Sequence, residues 1–354
     1  MKKLLVGILV LTSLLTCWGV YHKTHNKKPQ LPPFSKIEIR PDKEPDKTRP
    51  PDPVPPTPQF LTMEQARDLI TEAKTKEIVY WLADEAREGR MSGKKGNKDA
   101  AAYVKQRFET AGLKASYQQF TIRRVNAGPK NEDGDNFTNN IIGMLPGEMD
   151  HTIYICSHID HVGWGPSMTL DNQVGIHPGA DDNASGCAGV ISCAESFAKM
   201  KKLRHTLVFI TFSGEEMGLL GSRHYVQQLK KEDTSKIDLM VNFDMIGRLA
   251  PKKTCQAIGA RKSPDLMALI QKLEAKSPVK FEPSMGDNDN GSDHAPFRNA
   301  GVPFCFFFTG MHPQYHRITD KADTIDYAGL TNISKFVFEM VCEYDKQVLG
   351  RQKK

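Results

Sequence analysis

The chain has 354 residues, 39% of them hydrophobic and 25% charged, with a formal net charge of +6. That balance is ordinary for a soluble globular protein. Its lysines are scattered and no basic stripe interleaves with aromatics, so nucleic-acid binding is not expected.

The N-terminus reads as a targeting segment. Lys2 and Lys3 precede an uncharged stretch over residues 4–21. Residues 4–15 fit a secretory apolar region, and the whole stretch sits near the lower limit for a bilayer span. Residues 1–21 are therefore expected to be a signal peptide or membrane anchor. LLTC at 14–17 resembles a bacterial lipoprotein cleavage box with Cys17 as the lipidated residue. Leu15 and Thr16 depart from that pattern, which leaves an uncleaved anchor equally open. Either route yields an exported, membrane-tethered protein, periplasmic or extracellular. Lys23, Lys27 and Lys28 come after the stretch, so charge does not set its orientation.

Residues 22–59 are rich in proline and alternating charge, a composition that favours an extended, disordered linker over a packed core. Residues 60–354 form the expected folded domain, a size that suits one large α/β unit or one with a small insertion. Of seven cysteines, six lie in this body, with no CxxC spacing. Cys187 and Cys193 are on different faces of a predicted helix, and Cys156 and Cys305 lie in apolar strands, so buried free thiols are the expectation, with a long-range disulfide as the alternative.

Helix and strand signals alternate through the body. Residues 61–88 are helical by period, with Thr62 and Gln65 spaced as a capping box. A second helix is predicted over about 98–110, stopping at Gly112. Short apolar runs lie at 152–157, 206–212, 238–243 and 302–308, separated by helical stretches at 187–200 and 263–276. Each run is continuous rather than alternating, which predicts an α/β fold with a mainly parallel, mixed central sheet and helices on both faces.

The residues just past each strand carry the chemistry. TIYICS leads into His158 of SHIDHVG, TLVFITF into Ser213-Gly214-Glu215-Glu216, DLMVNF into Asp244, and VPFCFFF through TGMHPQY to His316. Asp181 and Asp182 of GADDNASG open a helix. Ligands of open α/β sheets bind outside the carboxyl ends of the strands, so these residues are predicted to share one edge. Two imidazoles and three carboxylates without cysteine suit zinc or a similar divalent ion. Two ions about 3.5–4 Å apart need a bridging carboxylate, and a hydrolytic site needs a base beside the water. The Glu215-Glu216 doublet offers one carboxylate for each task. The bland alternative is that both merely open a helix, where its dipole favours acid.

With these motifs in this order, residues 75–345 resemble the co-catalytic dizinc aminopeptidases, relatives of bacterial leucyl aminopeptidase and glutamate carboxypeptidase II. The resemblance extends to the helical segment at 82–114 and implies the zinc-peptidase (phosphorylase/hydrolase-like) fold. It also implies two zinc ions per chain, one on His158 and Asp244, the other on Glu216 and His316, bridged by Asp182. Glu215 would be the general base, and Asp160 would orient His158. Asp181 then reads as a turn residue, His161 as a loop or pocket residue, and Asp293 of the SDH stretch as a pocket residue. His316 is preferred to His312 because it matches the family's YH-x-x-x-D pattern. The implied activity is hydrolysis of peptide bonds, by an aminopeptidase acting on peptides with a free N-terminus. Two alternatives share the fold: a one-zinc glutaminyl cyclase-like transferase, and a receptor-like binding module that has lost its ligands.

Overall fold

The computed structural model describes residues 60–122, 136–287 and 289–347, so the targeting segment at 1–21 and the linker at 22–59 lie outside the described residues. The opening helical pattern, expected as one run over 61–88, is divided. Thr62 caps helix α1 (Met63–Arg67) with the full capping box to Gln65. Thr71 then caps α2 (Glu72–Leu82), its side chain accepting from the Lys74 N–H. A second N-cap inside a periodic stretch satisfies the donors of a new helix start, and the run breaks there. Helix α3 (Lys95–Ala111) ends where Gly112 takes φ 95°, a left-handed turn that glycine adopts without strain.

Eight strands come next: β1 (Lys114–Thr121), β2 (Phe137–Leu145), β3 (Thr152–His158), β4 (Thr206–Phe212), β5 (Ile237–Phe243), β6 (Thr254–Ile258), β7 (Lys280–Ser284) and β8 (Phe304–Phe308). They form one sheet in the order β1-β2-β4-β3-β5-β8-β6-β7. The β4-β3-β5-β8 centre is parallel, as are β6 and β7, while β1/β2, β2/β4 and β6/β8 pair antiparallel. The sheet is therefore mixed and mainly parallel at its centre, as expected. The outer strands β1, β2, β6 and β7 are additions to the four-strand reading.

The apolar runs are continuous because successive residues feed two cores. Ile153 and Ile155 of β3, with Leu207 and Phe209 of β4, belong to one core, which takes in α4 (Gly186–Phe197). Tyr154 and Cys156, with Val208 and Ile210, belong to the other, against Tyr225 and Val226 of α5 (Leu220–Gln228). Burying both faces removes the polar alternation a half-exposed strand would show. Cys156, Cys187, Cys193, Cys255, Cys305 and Cys342 are all buried and free. Among the described residues no helix is long and apolar enough to cross a membrane.

Strand β3 sits between β4 and β5, so the chain leaves it for one neighbour through α4 and returns on its other side. That reversal opens a crevice at the carboxyl ends of the parallel strands, the position where such sheets bind ligands.

Candidate metal centre

Five segments converge on this crevice. His158 is the last residue of β3, Asp244 comes directly after β5, and the doublet comes after β4. Asp182 lies in the irregular turn Ala180–Ser185 ahead of α4, and His316 lies in the loop beyond β8. Glu215 and Glu216 do not open a helix. They sit in a turn whose bend begins at Gly214 (φ 75°), and α5 starts only at Leu220.

Two donor groups share Asp182. In the first, His158 Nε2 is 3.3 Å from Asp182 Oδ1 and 3.3 Å from Asp244 Oδ1. In the second, His316 Nε2 is 3.1 Å from Asp182 Oδ2 and 3.0 Å from Glu216 Oε2. Asp182 thus turns one oxygen to each group. The structure brings together the four residues read from the strand ends and Asp182 from the turn before α4.

It also adds one. His161 Nδ1 stands 2.9 Å from Glu216 Oε1 and 3.6 Å from Asp182 Oδ2, within the second group. The sequence reading placed His161 outside the ligand set. Its position three residues past His158 was visible, but in a loop that spacing does not set the direction of a side chain.

Neighbouring groups hold this arrangement in place. Asp320 accepts the Asp181 and Asp182 N–H groups at 3.0 and 3.1 Å and pairs with Arg248 at 3.2 Å. Asp181 faces away from the donors: its Oδ1 accepts the Gly247 N–H at 2.7 Å, and its Oδ2 lies 3.2 Å from His312 Nε2. His316 and Asp182 thus lie in the donor groups, while His312 and Asp181 face each other outside them. His316 Nδ1 contacts the Met168 carbonyl at 2.8 Å, the outer partner that a ligating imidazole requires.

Asp160 reaches His158 more closely through its backbone than its carboxylate. His158 Nδ1 is 3.2 Å from the Asp160 carbonyl and 3.9 Å from Asp160 Oδ1. That same Oδ1 accepts the Glu215 N–H at 3.2 Å, so Asp160 spans both partners. The fully buried guanidinium of Arg90 donates to the carbonyls of Leu82, Ile159, Pro178 and Gly179 at 2.7–2.8 Å. It ties the loop after His158 to the turn before Asp182. Asp320 is the acid that closes the YH-x-x-x-D pattern, but its hold on the Asp181 and Asp182 amides was not read from the sequence, and Arg90 was not singled out, because most of their partners lie far away along the chain.

The electrostatics match a site built around cations. Burial pushes the Glu215 carboxyl well above its ordinary range; the His158 ring opposes the shift, and Glu216, Asp244 and Asp293 add to it. Burial likewise raises Asp244, and it lifts Asp160 to about 6. Asp293, at the start of the short helix His294–Asn299, is buried and pushed up to about 7 by desolvation, against His158. Such crowding of buried acids is costly unless positive charge offsets it. The donor set of imidazole nitrogens and carboxylate oxygens suits divalent zinc.

A cavity of about 340 Å³ opens over the first group, lined by His158, Asp182, Glu215, Asp244 and Asp289. Met245, Ile258, Phe306, Phe308 and Met311 contribute an apolar wall, and among the described residues no lysine or arginine reaches the lining.

The sheet and its shared-carboxylate site have the fold of the zinc aminopeptidases of peptidase family M28. Residues 140–341 match that family, and the chain belongs to it. It is 31% identical over 224 residues to leupeptin-inactivating enzyme 1 of Streptomyces exfoliatus, covering 62% of this chain and 44% of that protein. It is 28% identical over 227 residues to aminopeptidase YwaD of Bacillus subtilis, covering 60% and 46% respectively. The chain spans about half the length of the curated relatives it matches. A solved zinc aminopeptidase from Bacillus subtilis shares the fold with a TM-score of 0.64 at 17% identity, covering 78% of this chain and 95% of that one.

Proposed function

We propose that the protein is an exported, membrane-tethered dizinc metallo-aminopeptidase that removes residues from the free N-terminus of peptides. The observation that carries this reading is Asp182, which offers one oxygen to each of two donor groups beside a cavity that Glu215 lines. His158, Asp182 and Asp244 would hold one zinc; Asp182, Glu216 and His316 would hold the other. Bound there, zinc supplies the Lewis acidity that polarises a scissile carbonyl, acidifies water and offsets charge on the tetrahedral intermediate.

The chain's own residues do the rest. Glu215 takes a proton from the attacking water as the new C–O bond forms at the carbonyl carbon. It returns that proton to the amine nitrogen as the C–N bond breaks. Asp160, through the Glu215 N–H, keeps the base in position.

The lining supports a free N-terminus as substrate. Asp289, the lining carboxylate left over from the donor groups and the base, favours an ammonium group, and the apolar wall favours a bulky hydrophobic first residue. A glutaminyl cyclase-like transferase with one zinc remains the alternative, and the second donor group weighs against it. The purified full chain, supplied with zinc, should cleave aminoacyl substrates with apolar first residues and leave their N-acetylated forms intact. Near two ions per chain should accompany that activity. Near one ion per chain would reject the two-metal reading, and activity on N-blocked substrates alone would reject the aminopeptidase reading.

A further inference from the structure

We infer that His161 is a direct metal ligand, which makes the second site a closed, four-donor site and leaves the first, with three donors, open. The inference rests on the dimetal reading of the protein. Ligands about 2.0–2.1 Å from a zinc, at the corners of a tetrahedron, stand about 3.3 Å apart. Around the second site four such separations run His161 Nδ1 to Glu216 Oε1 at 2.9 Å, His161 Nδ1 to Asp182 Oδ2 at 3.6 Å, His316 Nε2 to Asp182 Oδ2 at 3.1 Å, and His316 Nε2 to Glu216 Oε2 at 3.0 Å. They bracket the tetrahedral edge, the two to Glu216 being to different oxygens, Oε1 for His161 and Oε2 for His316, one of which would serve as the donor. The first site shows two edges of 3.3 Å among three donors and no fourth donor among the described residues.

The fold makes room for this ring. The His161 side chain is fully buried, and its Nε2 has no hydrogen-bond partner, so Nδ1 is its one polar contact with the site. Gly179, at φ 58°, backs onto it: a Cβ there would stand 2.5 Å from the ring and 2.2 Å from the Asp182 carbonyl. The rings of His161 and His316 meet edge to face with centroids 5.4 Å apart, one on each side of Glu216. A ring that served only as a hydrogen-bond donor to Glu216 would not need to approach the bridging oxygen of Asp182 as well.

The consequence is unequal affinity. Four protein ligands with nothing left open characterise sites that retain their ion, while three ligands and a vacancy characterise sites that exchange it and meet substrate. The first ion taken up should go to the His161 site, and the last to leave should leave from there.

The experiment is nuclear magnetic resonance of the full chain, labelled with ¹⁵N at histidine and loaded with ¹¹³Cd. Three imidazole nitrogens should show scalar coupling to cadmium: those of His158 and His316, and the Nδ1 of His161. The His161→Gln variant should lose one coupling and bind its tighter ion more weakly by over 100-fold, beyond the roughly 10–100-fold loss typical of an outer-shell partner. His161→Asp, whose carboxylate oxygen falls near the lost Nδ1, should recover most of that affinity. Circular dichroism shows that each variant is folded. Two coupled histidines in the parent protein, or unchanged affinity in a folded His161→Gln, would overturn the inference and leave the dimetal reading standing. A parent protein that takes up no ion would overturn both.

Discussion

Glu216 turns both carboxylate oxygens to histidines, Oε1 to His161 at 2.9 Å and Oε2 to His316 at 3.0 Å, while its neighbour Glu215 lines the cavity beside His158 and Asp244. Two adjacent acids thus occupy different chemical positions. The separation arises from the turn after β4, where the Glu215 carbonyl accepts the Gly218 and Leu219 N–H groups and the Gly214 carbonyl accepts that of Leu220.

The two acids should therefore fail differently. Glu216→Gln removes an anionic donor, so metal content should fall and activity with it. Glu215→Gln leaves both donor groups intact, so two ions should remain bound. It should lower kcat roughly 10²–10⁴-fold with KM little changed, the usual worth of a general base. Metal analysis and steady-state kinetics on both variants check this. Loss of metal from Glu215→Gln with retention in Glu216→Gln would reverse the roles.

Chelation should abolish activity and lower thermal stability together. Without cations, Asp182, Glu216 and Asp244 are buried acids facing one another, and an ion that binds only the native state adds about 2.7 kcal/mol at a concentration 100 times its Kd. Melting curves with and without chelator, and again after zinc restoration, measure both effects. Full activity in metal-free protein would remove the dimetal reading.

Arg90→Met should destabilise the fold by at least about 3 kcal/mol, because it strands four buried carbonyls that the guanidinium now satisfies. Arg90→Lys should recover only part of this, since an ammonium cannot reproduce the planar fork. Denaturant titration is the measurement. A loss under about 1 kcal/mol would mean that water reaches those carbonyls.

His205 lies outside the donor groups and should set the alkaline limit of stability. His205 is buried between Asp345 at 2.7 Å and Asp238 at 2.8 Å. Burial disfavours the charged ring, but the two carboxylates outweigh it and raise His205 to about 9. A raised folded-state value means that this stabilisation is complete below about pH 6.5, where the unfolded ring titrates, and is lost as pH rises through about 9. Unfolding midpoints of the metal-loaded protein across that window should fall more steeply than those of His205→Gln. Equal slopes would show that the folded ring is already neutral.

If Cys17 is the lipidated residue, fatty-acid labelling of the protein should disappear in Cys17→Ala, and the leader should remain uncleaved. Absence of labelling in the parent protein would leave the uncleaved anchor as the tether.

Much of this protein was legible from residue order alone. The central strands β3, β4, β5 and β8 bury both faces, so their apolar runs were unbroken, and the polar residue at the end of each stood out. That end is where a parallel sheet collects its ligands, and His158, Glu216, Asp244 and His316 were found there. Strand β1, with its half-exposed polar sequence KASYQQFT, gave no such signal, because its pairing with β2 rather than its own burial makes it a strand. For the Asp181-Asp182 pair, residue order alone left both acids open and the family resemblance favoured Asp182; the physical hold on that turn comes from Asp320, some 140 residues away along the chain. Tertiary structure alone decided that His161 turns inward. Strand periodicity determines the side of a sheet on which a residue lies. In an irregular turn, side-chain direction depends on φ and ψ, and these are set by contacts such as those of Arg90 and Gly179 that only the folded chain assembles.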